Sequence, residues 1–368
     1  MKLQNKNGLE RYIEVEYNNF FGPRMVMPIS KVEELYEEGD RGTSKTGIET
    51  VAFFIEQFNA KYLGKSYTNE TIVKKLNDEF CAIEVMCSME ITEIAKWQTD
   101  HLYFEYSKYK DDIINSGFPP PVFIASSSLC NSDDMYSLDG MHRIMSSLEA
   151  GLTSITSIII VPRVDLWKYM GSVELTEIEE AANTCTWFPR YQELREFNLT
   201  GQRKQVPRYS EIYDFSFLKG KTVVDLGCNI GQAPLEAFFK GAKQVYGFDY
   251  QTEAINTGKK ITKALKNSSI LFDTIDFNNW ETMDKVKEIE SCDWVIFQAI
   301  YRTKEINDIE KVMEFVYNFA KEGIIFEGNA DPRLDTFEFY NEKVFEKYNL
   351  KYEYLGHSEH RPVWILRK

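Results

Sequence analysis

One stretch constrains the fold more than any other: Val223–Tyr250, VVDLGCNIGQAPLEAFFKGAKQVYGFDY. An apolar run ends at Asp225 and passes through a turn holding Gly227 and Gly231. It re-emerges as an amphipathic segment, then as a second apolar run ending at Asp249. Two strands joined by a helix must lie parallel, and the crossover must be right-handed. The small residues let backbone approach a ligand, and a helix N-terminus favours negative charge. Asp249 lies 18 residues beyond Gly231, where an acid can accept hydrogen bonds from both hydroxyls of a ribose.

The same alternation continues to the C-terminus. Strands are predicted at 221–227, 244–249, 269–276, 293–299 and 323–328, with helices at 232–241, 252–266, 280–290, 305–321 and 334–348. Two closing strands, KYEYLG and PVWILRK, flank the turn HSEHR. The pattern predicts a doubly wound α/β sheet, parallel except for an antiparallel closing pair.

The turn reads DLGCNIG, not the GxGxxG of dinucleotide enzymes. It resembles motif I of the class I S-adenosylmethionine (SAM)-dependent methyltransferases. GFDY resembles their motif II, DTIDF at 273–277 their acidic motif III, and CDWVIFQAIYR their motif IV. The resemblance implies a Rossmann-like, seven-stranded methyltransferase sheet over residues 218–368. It implies that Asp225, Gly227, Cys228, Asn229 and Gly231 shape the pocket for the amino-acid end of SAM. Asp249 and Tyr250 would meet the ribose, Asp276 and Phe277 the adenine, and Gln298 the mouth. Trp280 reads as core.

The D/N-P-P-Y/F motif of DNA amino-methyltransferases is absent, as is the Pro-Cys nucleophile of the cytosine C5 enzymes; FQAIYR stands after the fourth strand. The chain is more similar to small-molecule and glycan methyltransferases, which implies transfer to a hydroxyl or phosphate. Such transfer needs a base beside the acceptor, or close alignment alone. Glu327, Tyr301 and His357 are candidate bases near the strand ends. Arg203 and Arg208 precede the first strand, where a lid could bind an anionic acceptor.

A second resemblance sits upstream. SLDGMHRIMSSLEAGLTSITSIIIV is similar to the core motif of the ParB/sulfiredoxin-like superfamily, with Asp139, Gly140, His142, Arg143, Gly151 and Leu152 in register. It implies a smaller α+β domain over 1–165 whose Gly140, His142 and Arg143 hold the phosphates of ATP, ADP or CTP, with Asp139 activating an acceptor. The reactive Cys of sulfiredoxin is missing from its place, and no helix-turn-helix domain follows. The loop GDRGTSKTG is not a P-loop. Two alternatives stay open beside the leading reading: a bifunctional kinase/methyltransferase, and a nucleotide-binding regulatory module with a degenerate methyltransferase.

Between the two lies 166–217, read as a helical, aromatic connector or lid. Residues 1–21 read as an arm, MVMPIS and PPPVFIAS as strands, 31–39, 48–63 and 68–80 as helices, SLDGMHR as a turn, IMSSLEAG as a helix and 154–162 as a buried strand. A formal charge of −14 over 368 residues makes nucleic acid an unlikely partner, despite a local cluster of Arg190, Arg195, Arg203, Lys204 and Arg208. The six cysteines include no CxxC pair, so no zinc site or other metal is expected and the thiols should be free. The N-terminal residues lack the apolar core of a signal peptide, and no run reaches the ~20 apolar residues of a membrane span. A cytoplasmic protein acting on a small-molecule or glycan acceptor is expected.

Overall fold

The computed structural model describes residues 2–4, 13–32, 78–94, 122–125, 135–139, 147, 151–185, 191–206, 208–289, 292–331 and 333–368. The chain divides into two compact units, Met1–Gly171 and Ser172–Lys368.

In the first unit, β1 (Lys2–Gln4), β2 (Ile13–Pro28), β3 (Phe80–Ile94), β4 (Val122–Ala125), β5 (Met135–Asp139) and β6 (Ser154–Pro162) close into a barrel, ordered β1-β2-β3-β6-β4-β5. Parallel pairing of β1 with β5 completes the ring, which removes the exposed edges of an open sheet. Val26, Met27, Ile83 and Ile158–Val161 are buried. Two expectations change. Within the expected arm, 2–4 and 13–21 lie in strands of the barrel, and 137–139 belong to β5, not to a turn. Both changes follow from ring closure, because β1 and β5 need each other as pairing partners. Gly140, His142, Arg143, the 39–47 loop and the predicted helix at 48–63 lie outside the described residues. So does most of the predicted helices at 31–39, 68–80 and 144–151.

The second unit begins with α1 (Ser172–Asn183), whose buried Ile178, Ala181 and Ala182 form its packing face. Gln192, Leu194, Leu199 and Arg203 join in isolated bridges, followed by a π-turn at Arg208–Ile212 and a 3-10 turn at Phe215–Leu218. The sheet then alternates β7 (Thr222–Leu226), α2 (Gln232–Phe239), β8 (Gln244–Asp249), α3 (Thr252–Leu265), β9 (Ile270–Thr274), α4 (Asp284–Lys287), β10 (Cys292–Gln298), α5 (Ile309–Phe319) and β11 (Ala320–Glu327). α6 (Phe337–Tyr340), β12 (Lys351–Ser358) and β13 (Arg361–Arg367) close it. α1 lies on α3, where Lys260 pairs with Glu177 at 3.2 Å. The segment 172–217 therefore belongs to the compact second unit.

The strand order is β12-β13-β11-β10-β7-β8-β9. β7 through β11 run parallel; β13 inserts antiparallel between β11 and β12. The chain winds outward from β7 to β9, then returns to place β10 on the other side of β7. That reversal opens a crevice at the carboxyl ends of β7 and β10, where doubly wound sheets bind ligands. Strand alternation sorts the side chains: Val224 and Leu226 enter the core with Val295, Phe297, Ile324, Phe326 and the α5 residues Val312, Met313 and Val316. Asp225 takes the opposite face.

Candidate active site at the carboxyl ends of β7, β10 and β11

The turn after β7 has the backbone its glycines allow. Gly227 and Gly231 sit at φ +90° and +103°, and Asn229 at +52°. A Cβ on Gly231 would come 2.6 Å from the ring of Phe272. The turn is held from β8: Gly227 and Cys228 N–H donate to the Phe248 carbonyl at 2.7 and 2.9 Å, and Asn229 N–H donates to Asp249 Oδ2 at 2.8 Å. Gln251 N–H donates to Asp249 Oδ1 at 2.9 Å. Asp249 is buried, and burial pushes its carboxyl above the usual value against these N–H donors. The Tyr250 N–H also donates to this carboxylate, and its remaining acceptor capacity can take a hydroxyl.

The N-terminus of α2 is already capped. Gln192 Oε1 accepts from Gln232 N–H at 3.0 Å. A pyrophosphate would compete for that donor, so the site is poorly suited to a dinucleotide. Gln192 was invisible to local sequence reading, because it lies 40 residues upstream.

Asp225 is 2% exposed, and its Oδ1 has no hydrogen-bond partner. Burial raises its carboxyl well above the ordinary value of 3.8; Arg208 opposes the shift, while Asp249 and Glu327 add to it. Gln298 Nε2 and the Tyr209 hydroxyl are among the other buried atoms without a partner, as are Nε of Arg203 and of Arg208. Arg208 links the group. Its Nη2 donates to Gln298 Oε1 at 2.7 Å, and its guanidinium lies 5.0 Å from the Tyr209 ring centre. One unpartnered carboxylate oxygen beside two unpartnered donors matches a zwitterionic amino acid: an ammonium for Asp225, a carboxylate for Gln298 and Tyr209. No local pattern marks Tyr209, which sits in the π-turn at Arg208–Ile212.

The other expected residues fall in different surroundings. Cys228 is buried, its thiol pushed well up by burial and then by Asp225 and Asp249. Only its backbone shapes the turn. Tyr250 is 59% exposed. Asp276 Oδ1 accepts from Asn278 N–H at 2.8 Å, and Phe277 packs with Trp280 against the core. Tyr301 sits in the core rather than the mouth, 4% exposed, its hydroxyl donating to Glu310 at 3.1 Å. His357 stands exposed on β12, its Nδ1 bonded to the Tyr354 hydroxyl at 2.6 Å.

Glu327 does meet Arg203 and Arg208, but in a closed arrangement. It is fully buried. Oε1 accepts from Arg203 Nη1 and Oε2 from Arg208 Nη2, each at 2.9 Å, and the Tyr213 hydroxyl donates to Oε2 as well. Arg361 Nη1 lies 3.4 Å from Oε1. These donors occupy most of the acceptor positions of the Glu327 carboxylate. Arg203 and Arg208, expected to bind an anionic acceptor from a lid, tie the segment before β7 to the sheet end through Glu327. Asp139 ends β5 in the first unit.

Among the described residues, no group of three or more His, Cys, Asp or Glu side chains is placed to hold a metal ion. No helix among them is long and apolar enough to cross a membrane. Cys81, Cys185, Cys228 and Cys292 are buried.

A doubly wound sheet with an antiparallel closing pair and a switch point between β7 and β10 defines a Rossmann-like α/β domain. Residues 217–348 match the family model described as a methyltransferase domain. The second unit carries that domain. Solved structures similar to the chain include a candidate SAM-dependent methyltransferase from Streptococcus mutans, at 15% identity over 44% of this chain and 48% of that one, TM-score 0.36. A SAM-dependent methyltransferase from Aquifex aeolicus matches at 17% identity over 44% and 94%, TM-score 0.33. Magnesium protoporphyrin IX methyltransferase from Synechocystis PCC 6803, with bound S-adenosylhomocysteine, matches at 15% identity over 41% and 76%, TM-score 0.32. The chain spans about half the length of the Streptococcus protein. No curated protein matches the chain.

Proposed function

We propose that the second unit binds SAM at the carboxyl ends of β7 and β8 and transfers its methyl group to a hydroxyl or phosphate oxygen of a small molecule or glycan. The observation that carries this reading is the trio of unpartnered buried atoms, Asp225 Oδ1, Gln298 Nε2 and the Tyr209 hydroxyl. In this reading Asp225 takes the ammonium of SAM, and Gln298 and Tyr209 take its carboxylate. Asp249 takes the ribose hydroxyls on its remaining lone pairs, and Asp276 with Phe277 frames the adenine. When bound, SAM supplies an electrophilic methyl group on a sulfonium. The chain's part is to align the acceptor and exclude water. Glu327, Tyr301 and His357 are each engaged elsewhere, so alignment rather than a strong general base carries the reaction.

Titration calorimetry with S-adenosylhomocysteine tests this. Wild type should bind, and Asp249→Ala should lose affinity by roughly tenfold to several hundredfold, since hydrogen bonds to a carboxylate contribute about 1.5–3 kcal/mol each. Wild type that binds neither SAM nor S-adenosylhomocysteine would sink the proposal.

A second reading concerns the first unit. β5 ends at Asp139 and β6 starts at Ser154 after Gly151 at φ +80°, the two ends of a frame in which Gly140, His142 and Arg143 lie outside the described residues. In a ParB/sulfiredoxin-like unit this frame would bind ATP, ADP or CTP, and in the bifunctional form would phosphorylate an acceptor. The thermal shift of the full chain with each nucleotide tests it. At a hundredfold excess over Kd, binding adds ~2.7 kcal/mol, and Arg143→Ala should remove that gain while leaving the S-adenosylhomocysteine shift intact.

A further inference from the structure

Cations crowd the carboxyl end of β11. One fully buried carboxylate, Glu327, faces three guanidiniums, with the side chains of Arg203, Arg208 and Arg361 only 5%, 6% and 19% exposed. Two further acids are near: the buried Asp225, which interacts with Arg208, and Glu359, 55% exposed and 3.8 Å from Arg203 Nε. Arg203 and Arg361 share one oxygen of Glu327. Nε of Arg203 and of Arg208 are buried without a hydrogen-bond partner.

The cluster has an outward end. Arg361 is the least buried of the three, and its Nη1 donates to the Tyr191 hydroxyl at 2.9 Å while lying farther from Glu327 than Arg203 or Arg208 does. Arg203 Nη2 donates to the Ser358 hydroxyl at 2.9 Å, which leaves the Ser358 proton to donate. Glu327 is the register partner of Gln298, so this cluster stands one strand spacing, ~4.8 Å, from the proposed cofactor pocket. A small acceptor held here would lie within reach of the methyl group.

We infer that the methyl acceptor carries an oxyanion, a carboxylate or a phosphate group, which docks on Arg361, Arg203 and Ser358. Guanidinium forks suit either group, and the ligand would add a counter-charge for Arg203 and Arg361, which share one oxygen of Glu327. Arg361 is then the residue that decides which acceptors are held. The inference rests on the methyltransferase reading for the word acceptor, but the oxyanion subsite can be tested without it.

The experiment titrates inorganic phosphate, and separately malonate, into the full chain, first unliganded and then saturated with S-adenosylhomocysteine. At least one anion should bind in both states, and the preferred one names the group. Arg361→Gln should weaken that binding by about tenfold or more, while Arg361→Lys retains part of it and S-adenosylhomocysteine affinity stays within about twofold for both variants. Far-ultraviolet circular dichroism and the retained cofactor affinity report folding. Anions that bind only the unliganded protein and are displaced by S-adenosylhomocysteine would overturn the inference, because the cluster would then belong to the cofactor's own carboxylate. Absence of anion binding, or binding indifferent to Arg361→Gln, would overturn it too. A chain that binds phosphate but no S-adenosylhomocysteine would remove the methyltransferase reading and keep the subsite.

Discussion

Asp225 and Glu327 are both buried carboxylates at the carboxyl ends of parallel strands, yet their surroundings are opposite. Glu327 accepts from Arg203, Arg208 and Tyr213 and has Arg361 beside it. Asp225 has an oxygen with no partner. The saturated acid belongs to the architecture, tying the segment before β7 onto β11. The unsaturated one carries a desolvation cost that a ligand could offset, which is the pattern of a binding site. Neither burial nor residue type separates the two; only the count of donors does.

The largest effect that would break this contrast is at Glu327. Glu327→Ala leaves three guanidiniums buried around a cavity and should cost about 3–5 kcal/mol. Each kcal/mol lowers the melting temperature by about 2–4 °C in a domain of this size. Thermal unfolding of wild type and variant reads it directly. A variant that melts like wild type but no longer transfers methyl groups would make Glu327 a catalytic base after all.

Asp225 should respond in the other direction. Asp225→Asn removes a buried, unpartnered charge and should stabilise the unliganded protein at pH 7 by about 1–3 kcal/mol, while weakening SAM binding by about tenfold or more. The sign with pH follows from the raised carboxyl. The folded state holds the proton more tightly than the unfolded chain, so the stability from the protonated form is present below 3.8 and is lost as pH rises through the folded value. The advantage of the Asn variant over wild type should therefore grow from pH 4 toward neutrality. Melting curves across that range check it; an advantage that shrinks with pH would mean that Asp225 is paired in the folded protein.

The smallest effects are expected where sequence proposed bases and the structure finds packing. Tyr301→Phe loses the bond to Glu310 and should cost about 0.5–1.5 kcal/mol with little change in methyl transfer. His357→Ala should change neither, since the side chain is exposed. A general base would lose about 100- to 10,000-fold in kcat, so turnover by either variant sharpens the assignment.

Much of the second unit was legible because its signals are local. Apolar runs of strand length, helical periodicity and a glycine turn gave all seven strands within a few residues, and the antiparallel closing pair with them. Asp225 and Asp249 were found because a strand's last residue is set by the strand itself. The first unit was harder. The strands MVMPIS, PPPVFIAS and 154–162 correspond to segments of β2, β4 and β6, but closure through β1 and β5 was not foreseen. A short strand in a barrel is stable only with its neighbours, and its own sequence carries little sign of them.

The sequence by itself determined the winding of the sheet, the positive-φ turn at Gly227 and Gly231, and the acids that end β7 and β8, because backbone preference and burial period are properties of a few consecutive residues. Tertiary structure decided what those acids meet. Arg203, Arg208 and Tyr213 reach Glu327 across 124, 119 and 114 residues, and Gln192 caps α2 from 40 residues away. Whether a buried carboxylate is saturated or left open depends on which donors the packed chain brings within about 3 Å, and no local pattern encodes that distance.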